Sequence, residues 1–195
     1  RRLRQRRDRT RAGHPEAQGD VVQAHLLDNA VRLFRGHYTA NLCVKTRLYD
    51  GVSDTLAQLA EQTTLAVATN KPGRWARALC ETLGISPLFR WILGEDDVGA
   101  RKPDPRLLYE LCDRAQVPNA QSLFVGDSRI DWLAAEAAGT DLALCTYGNA
   151  DEATIDKAMA LAESQELSCR VGSPQRPFLC RRFSDLLDIT RRQNA

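Results

Sequence analysis

A chain of 195 residues, 43% of them hydrophobic, is long enough to bury its own core as one domain with a small appendage. Its formal charge of +2 is uneven: seven arginines and one acid give residues 1–11 a charge of +6, which leaves −4 for the remainder. The six cysteines include no C-x-x-C pair, which argues against a zinc site or a secreted disulfide framework and for reduced thiols. No apolar stretch reaches membrane-spanning length and no signal peptide is visible, so a cytoplasmic protein is expected.

The Arg-rich arm, residues 1–20, lacks helical periodicity, and its arginine run has no aromatic residue to stack on bases. A solvated tail, or sequence foreign to the fold, therefore fits it better than a nucleic-acid contact. The chain opens on arginine, and its true start is expected to lie elsewhere. From Val21 to Arg47 the spacing of Leu26, Ala30, Leu33, Phe34 and Tyr38 predicts a helix. His25 and His37 lie on it as isolated histidines, and no role is assigned to them.

Beyond Tyr49 the chain alternates. A helix is predicted over 52–62, then a strand over Thr64–Thr69 and a helix over 73–84, closed by Gly84. The short apolar run Trp91–Leu93 follows. After Pro103 a helix is expected, with Asp104 as its cap, Pro105 in its first turn, and Leu107, Leu108, Leu111 and Ala115 as its apolar stripe. A strand over 122–126, a helix over 128–138 and a strand over 141–145 complete the repeat. A helix near 151–164, an irregular stretch over 168–177, and a last strand and short helix finish the chain. Strands alternating with helices imply a doubly wound, mostly parallel α/β sheet.

Polar clusters stand just past three of these strands. Thr69, Asn70 and Lys71 follow the first, Arg101 and Lys102 come after the second, and Asp127 and Asp131 follow the third. Carboxyl ends of parallel strands converge on one edge, where ligands bind. A hydroxyl, a lysine and two carboxylates meeting there suit phosphoryl transfer, with Thr69 donating to a phosphoryl oxygen, Lys102 offsetting charge and Asp127 positioning Mg²⁺. Asp127 or Ser128 could instead simply cap the following helix. Lys71 and Arg101 read more readily as solvated surface groups, and Trp75, Trp91 and Trp132 as packing residues.

The phrases Ala68-Thr-Asn-Lys-Pro72, Arg101-Lys-Pro-Asp-Pro105, Val125-Gly-Asp-Ser-Arg-Ile-Asp131 and Thr146-Tyr-Gly148 together resemble the haloacid dehalogenase superfamily, closest to its phosphoglycolate phosphatase group. The match runs from about Phe34 to Ile189. It implies a Rossmann-like core at 49–195 and the remnant of a helical cap at 21–48. It also implies Mg²⁺ as cofactor and a small phosphorylated metabolite as substrate. By that resemblance Thr69 and Asn70 bind the phosphoryl group, Lys102 orients nucleophile and phosphate, Asp127 ligates the metal, and Asp131 supports it. Ile130 stands where the group often has asparagine.

One departure is large. The family opens with a strand ending in Asp-x-Asp, which supplies the nucleophile and the general acid, and no such sequence precedes Thr69. Neither Asp28 nor Asp50 follows an apolar run or has a partner acid two positions on. The first core strand, central in the family's sheet, is thus expected to be missing and the chain as given to be inactive. Two readings follow: a Mg²⁺-dependent phosphatase of a small phosphate monoester, or a truncated, non-catalytic relative that keeps a phosphate and metal half-site as a binding or assembly partner. Oligomeric state is left open.

Overall fold

The computed structural model describes residues 15–163 and 177–193. Residues 1–14, which hold the arginine run, and most of the irregular 168–177 stretch lie outside these. The chain divides into two units, residues 1–44 and 45–195.

Among the described residues the first unit contributes one helix, α1 (Pro15–Ala40). It starts at a proline, which suits a first helical position because its missing N–H would be unpaired there anyway. The helix thus reaches into the stretch expected to be irregular and stops short of Arg47. Leu26, Leu27, Leu33 and Phe34 on it are exposed, and the Phe34 and Tyr38 rings, one turn apart, stack at 5.7 Å.

The second unit alternates helix and strand. In chain order it comprises α2 (Val52–Ala60), β1 (Ala66–Thr69), α3 (Gly73–Thr82), β2 (Trp91–Gly94) and the single turn α4 (Glu95–Val98). There follow α5 (Arg106–Ala115), β3 (Leu123–Gly126), α6 (Arg129–Ala138), β4 (Asp141–Cys145), α7 (Glu152–Glu163), β5 (Phe178–Cys180) and α8 (Asp185–Gln193). Every strand pair is parallel: β1 lies beside β2 with Ala66 opposite Trp91, β3 beside β4 with Leu123 opposite Asp141, and β4 beside β5 with Cys145 opposite Cys180. The α/β class and the parallel pairing agree with the alternating pattern of the sequence.

These strands form two sheets, β1-β2 and β3-β4-β5, with no ladder between β1 and β3 among the described residues. Burial reflects the break. Ile92 and Leu93 of β2 and Leu142, Ala143, Leu144 and Cys145 of β4 are buried, whereas all of β3 is half-exposed and Ala66 of β1 is exposed. Inner parallel strands are normally covered on both faces. Here the two strands at the break are not.

The helices sit where their apolar stripes direct them. On α5, Leu107 is fully buried and Leu108 nearly so, and each such side chain contributes about 1.5–3 kcal/mol on burial. Leu108 packs with Ala134 and Ala138 of α6, and against Ala68 and Phe124. Leu59 of α2, with Leu186 and Ile189 of α8, covers Ala143, Cys145 and Cys180. Val52 and Leu56 of α2 join Ala76 and Cys80 of α3 and Ile92 in a further cluster. Trp75 and Trp132 are buried, as packing residues should be. Cys80, Cys112, Cys145 and Cys180 are buried free thiols.

Candidate active site

Strand β3 delivers Asp127 to the carboxyl end of its sheet, and α6 begins immediately after it. Ser128 caps that helix, its Oγ accepting from Asp131 N at 3.3 Å. The capping residue is therefore Ser128, and Asp127 keeps its carboxylate for other partners. Asp131, buried in the first turn of α6, accepts from Ser128 Oγ at 2.6 Å and from Asp127 N at 3.1 Å through Oδ2. Its other oxygen meets Lys102 Nζ at 2.7 Å. Burial works against the charged form, but Lys102, the Ser128 hydroxyl and the Asp127 amide together hold the carboxyl below its ordinary range.

Lys102 reaches this point from the loop before α5. The Asn70 side chain holds its backbone from both sides, with Nδ2 donating to Lys102 O at 2.9 Å and Oδ1 accepting from Lys102 N at 2.7 Å. The ammonium also donates to Ala68 O at 2.9 Å and lies 5.0 Å from the centre of the Phe124 ring. Asn70 thus serves as the clamp that positions Lys102.

Asp127 is held from a third loop. Asn149 donates to Asp127 Oδ2 twice, from its backbone N at 3.2 Å and from Nδ2 at 2.8 Å. Two glycines make room for this packing. A Cβ on Gly148 would collide with the Asp127 carboxyl, and one on Gly126 would collide with Asp131. Only a residue without a side chain allows such approach.

Lys102, Asp127 and Asp131 line a cavity of about 330 Å³ together with Tyr49, Cys145 and Tyr147. The two tyrosine rings meet edge to face at 5.2 Å. A hydrogen bond from Cys180 brings the Cys145 thiol down to about 7, against the opposing effects of burial and the two aspartates. Tyr147 is pushed up by burial, then by Cys145.

Thr69 ends β1, but it lies outside this lining; its Oγ1 accepts from Lys71 N at 3.2 Å. Lys102, Asp127 and Asp131 share one cavity lining, and the residues on either side of Thr69, Ala68 and Asn70, both bond Lys102. Arg101 is an exposed side chain paired with Glu95 at 3.5 Å. Asn149 was not foreseen, although the Thr146-Tyr-Gly148 phrase ends beside it.

A single side of a Mg²⁺ site can be assembled here. Among the described residues no group of three or more His, Cys, Asp or Glu side chains surrounds a common point. Asp127 offers one oxygen free of the Asn149 bonds. Mg²⁺ commonly takes one or two carboxylates and completes its shell with water and substrate phosphate, so the donor set fits that mode and not an all-protein cage.

Residues 16–145 match the model of a family described as haloacid dehalogenase-like hydrolase. The chain is 42% identical over 142 residues to a phosphoglycolate phosphatase of Pseudomonas fluorescens, an alignment covering 72% of this chain and 51% of that protein. It is 40% identical over 131 residues to one from Haemophilus influenzae, covering 67% and 58% respectively. Among solved structures, a predicted phosphoglycolate phosphatase from Haemophilus somnus superposes with a TM-score of 0.67 at 33% identity, over 82% of this chain and 64% of that one. The chain spans about half the length of the curated relatives it matches.

Proposed function

The chain belongs to the haloacid dehalogenase-like hydrolase family, and we propose that it carries the phosphate- and metal-binding half of a phosphatase site. The activity served is Mg²⁺-dependent hydrolysis of a small phosphate monoester, with phosphoglycolate as first candidate because the relatives carry that name. The observation that supports this reading is the linked set Lys102–Asp131–Asp127 on one cavity at the carboxyl ends of parallel strands.

In this reading Asp127 ligates Mg²⁺ through the oxygen that Asn149 leaves free, and Asp131 fixes the Asp127 backbone. Lys102 places a positive charge beside the incoming phosphoryl group, and Asn70 keeps it there. Thr69 and Asn70 stand on the phosphate side. Bound Mg²⁺ would supply charge neutralisation for the phosphoryl oxygens.

The 195-residue chain by itself binds without turning over. Among the described residues, Asp127 and Asp131 are the carboxylates lining the cavity; one is committed to the metal and the other to Lys102, so neither is free to attack phosphorus. This supports the second reading too, a non-catalytic relative that retains the half-site. A phosphatase assay with Mg²⁺ on p-nitrophenyl phosphate and phosphoglycolate tests it, alongside calorimetric titration with Mg²⁺. No turnover above buffer, with Mg²⁺ binding that Asp127→Asn removes, is expected. Turnover abolished by Asp127→Ala would mean that another carboxylate attacks, with Asp28 and Asp50 the first to replace. Absence of both Mg²⁺ binding and turnover would sink the half-site.

A further inference from the structure

Two thiols face each other where β4 and β5 end. Cys145 and Cys180 stand opposite one another in the parallel register, and both belong to the cluster covered by Leu59 of α2 and by Leu186 and Ile189 of α8. Their side chains therefore leave the sheet on the same face, and the Cys180 thiol hydrogen-bonds Cys145. Neighbouring strands lie about 4.7–4.9 Å apart, within the roughly 4.4–6.8 Å between Cα atoms that a disulfide spans. Among the described residues β5 is an edge strand of three residues that ends on Cys180, so its backbone has room to settle into the bonded geometry.

The two sulfurs are not equivalent. Cys145 borders the candidate-site cavity with Asp127, Asp131 and Tyr147, whereas Cys180 is absent from that lining and is fully buried. A small polar oxidant therefore reaches Cys145 through the cavity, and reaches Cys180 only by way of Cys145. The hydrogen bond from Cys180 favours the Cys145 thiolate; burial opposes it, and the Tyr147 hydroxyl adds to the favourable side. The thiolate is the form that attacks. Other buried thiols lack this access. Cys80 packs among Val52, Leu56, Ala76 and Ile92, where burial pushes its thiol up, and Cys112 meets Ser122 Oγ at 3.3 Å. Neither lines the cavity.

We propose that Cys145 and Cys180 form a reversible oxidation site, at which a hydroperoxide entering by the cavity oxidises Cys145 and Cys180 closes a disulfide. The Cys145 sulfur attacks the nearer peroxide oxygen and the O–O bond breaks, leaving a sulfenic acid and, with hydrogen peroxide, one water. The Cys180 sulfur then attacks the Cys145 sulfur. The S–S bond forms, the S–O bond breaks, and the hydroxyl leaves with the Cys180 proton as a second water. Two thiols give up two electrons and two protons, and one peroxide takes them up. In a reducing compartment such a bond is transient and sensing, not structural. Thr146 donates to Cys180 O from its N at 3.0 Å and from Oγ1 at 3.2 Å. The pair thus sits at the root of the loop that runs through Tyr147 and Gly148 to Asn149, and its oxidation removes the thiolate that Tyr147 faces.

The test treats the full, reduced chain with hydrogen peroxide in modest excess, followed by intact mass and a non-reducing peptide map. Expected are loss of two hydrogens per molecule, a link between the Cys145 and Cys180 peptides, and full reversal by dithiothreitol. Cys145 should react at least about tenfold faster than Cys80 and Cys112. Cys180→Ser should leave a Cys145 sulfenic acid that dimedone traps, and Cys145→Ser should slow oxidation of Cys180 by about tenfold or more. A link between a different pair, sulfinic acid at Cys145 with Cys180 still a thiol, or Cys145 no faster than Cys80 would overturn the proposal. The link and the rate comparison are read on the unaltered chain, which keeps the proposal testable if either serine variant misfolds. No readout uses Mg²⁺ or a phosphate ester, so failure here is distinct from failure of the half-site.

Discussion

Lys102 Nζ and Asp131 Oδ1 meet at 2.7 Å with their side chains only 12% and 9% exposed. Lys102 comes from the loop before α5 and Asp131 from the first turn of α6, and their remaining sides are satisfied by Ala68 O, Ser128 Oγ and Asp127 N. Desolvating two charges costs several kcal/mol per ion, and a pair of this kind holds only while both partners are present.

Lys102→Met should therefore destabilise the chain by about 3–5 kcal/mol, because Asp131 is left buried and unpaired. The double variant Lys102→Met with Asp131→Leu should recover most of that loss. Denaturant unfolding of the four proteins in the cycle measures it. A single-variant loss within error of zero would show the pair to be solvated.

Acid should reveal the same carboxylate. The folded-state pKa of Asp131 lies below its ordinary value, so the unfolded chain binds the proton first as pH falls. The stabilisation is complete above about pH 5 and is lost as pH falls through the folded-state value, below the unfolded ~3.9. Asp97, held down by its bond to Arg77, adds to the same slope, as do the exposed Asp104 and Asp151. Asp131→Asn should flatten the slope in part. Urea midpoints from pH 3 to pH 7 check this; an unchanged slope would contradict it.

Gly148→Ala places a methyl group against the Asp127 carboxyl. Asn149→Ala removes the 2.8 Å bond to the same oxygen. Each should lower Mg²⁺ affinity by about 10–100-fold, the usual effect of disturbing the partners of a metal ligand. Asn149, an exposed loop residue, should cost little stability. Titration calorimetry beside thermal unfolding separates the two effects.

Arg101→Ala should do almost nothing. The side chain is 71% exposed and its ion pair spans 3.5 Å, so a change within about 0.5 kcal/mol is expected. Mg²⁺ affinity should be unchanged. A loss of phosphate or metal binding would instead place Arg101 at the site.

The sequence made the repeating units legible because apolar periodicity is a local signal. The stripe Leu107, Leu108, Leu111 and Ala115 marked α5, and the run 122–126 marked β3 almost to the residue. Strand β1 begins at Ala66, later than the expected Thr64, since ladder pairing with Trp91 decides where it starts. The turn α4 is too short to generate a period. Asp127 and Asp131 were visible through their spacing of one helical turn. Pairings across the chain were not: Lys102 meeting Asp131, or Asn149 gripping Asp127, depends on how far each loop reaches after the strands are placed. Thr69 is singled out by its order along the chain, and it is its neighbours Ala68 and Asn70 that bond Lys102.

The open ladder also bears on how the molecule comes apart. Between β1 and β3 the sheet has a seam, crossed by apolar contacts and by the stitch from Lys102 to Ala68 O and Asp131. Hydrogen-bonded ladders lock neighbouring strands into one cooperative block, and a seam without rungs lets the blocks on either side melt on their own schedules. The strands on the Thr69 side and those on the Asp127 side then need not share one transition, and the calorimetric enthalpy would exceed the van't Hoff enthalpy. The candidate site straddles that seam, so its geometry is only as durable as the weaker of the two blocks.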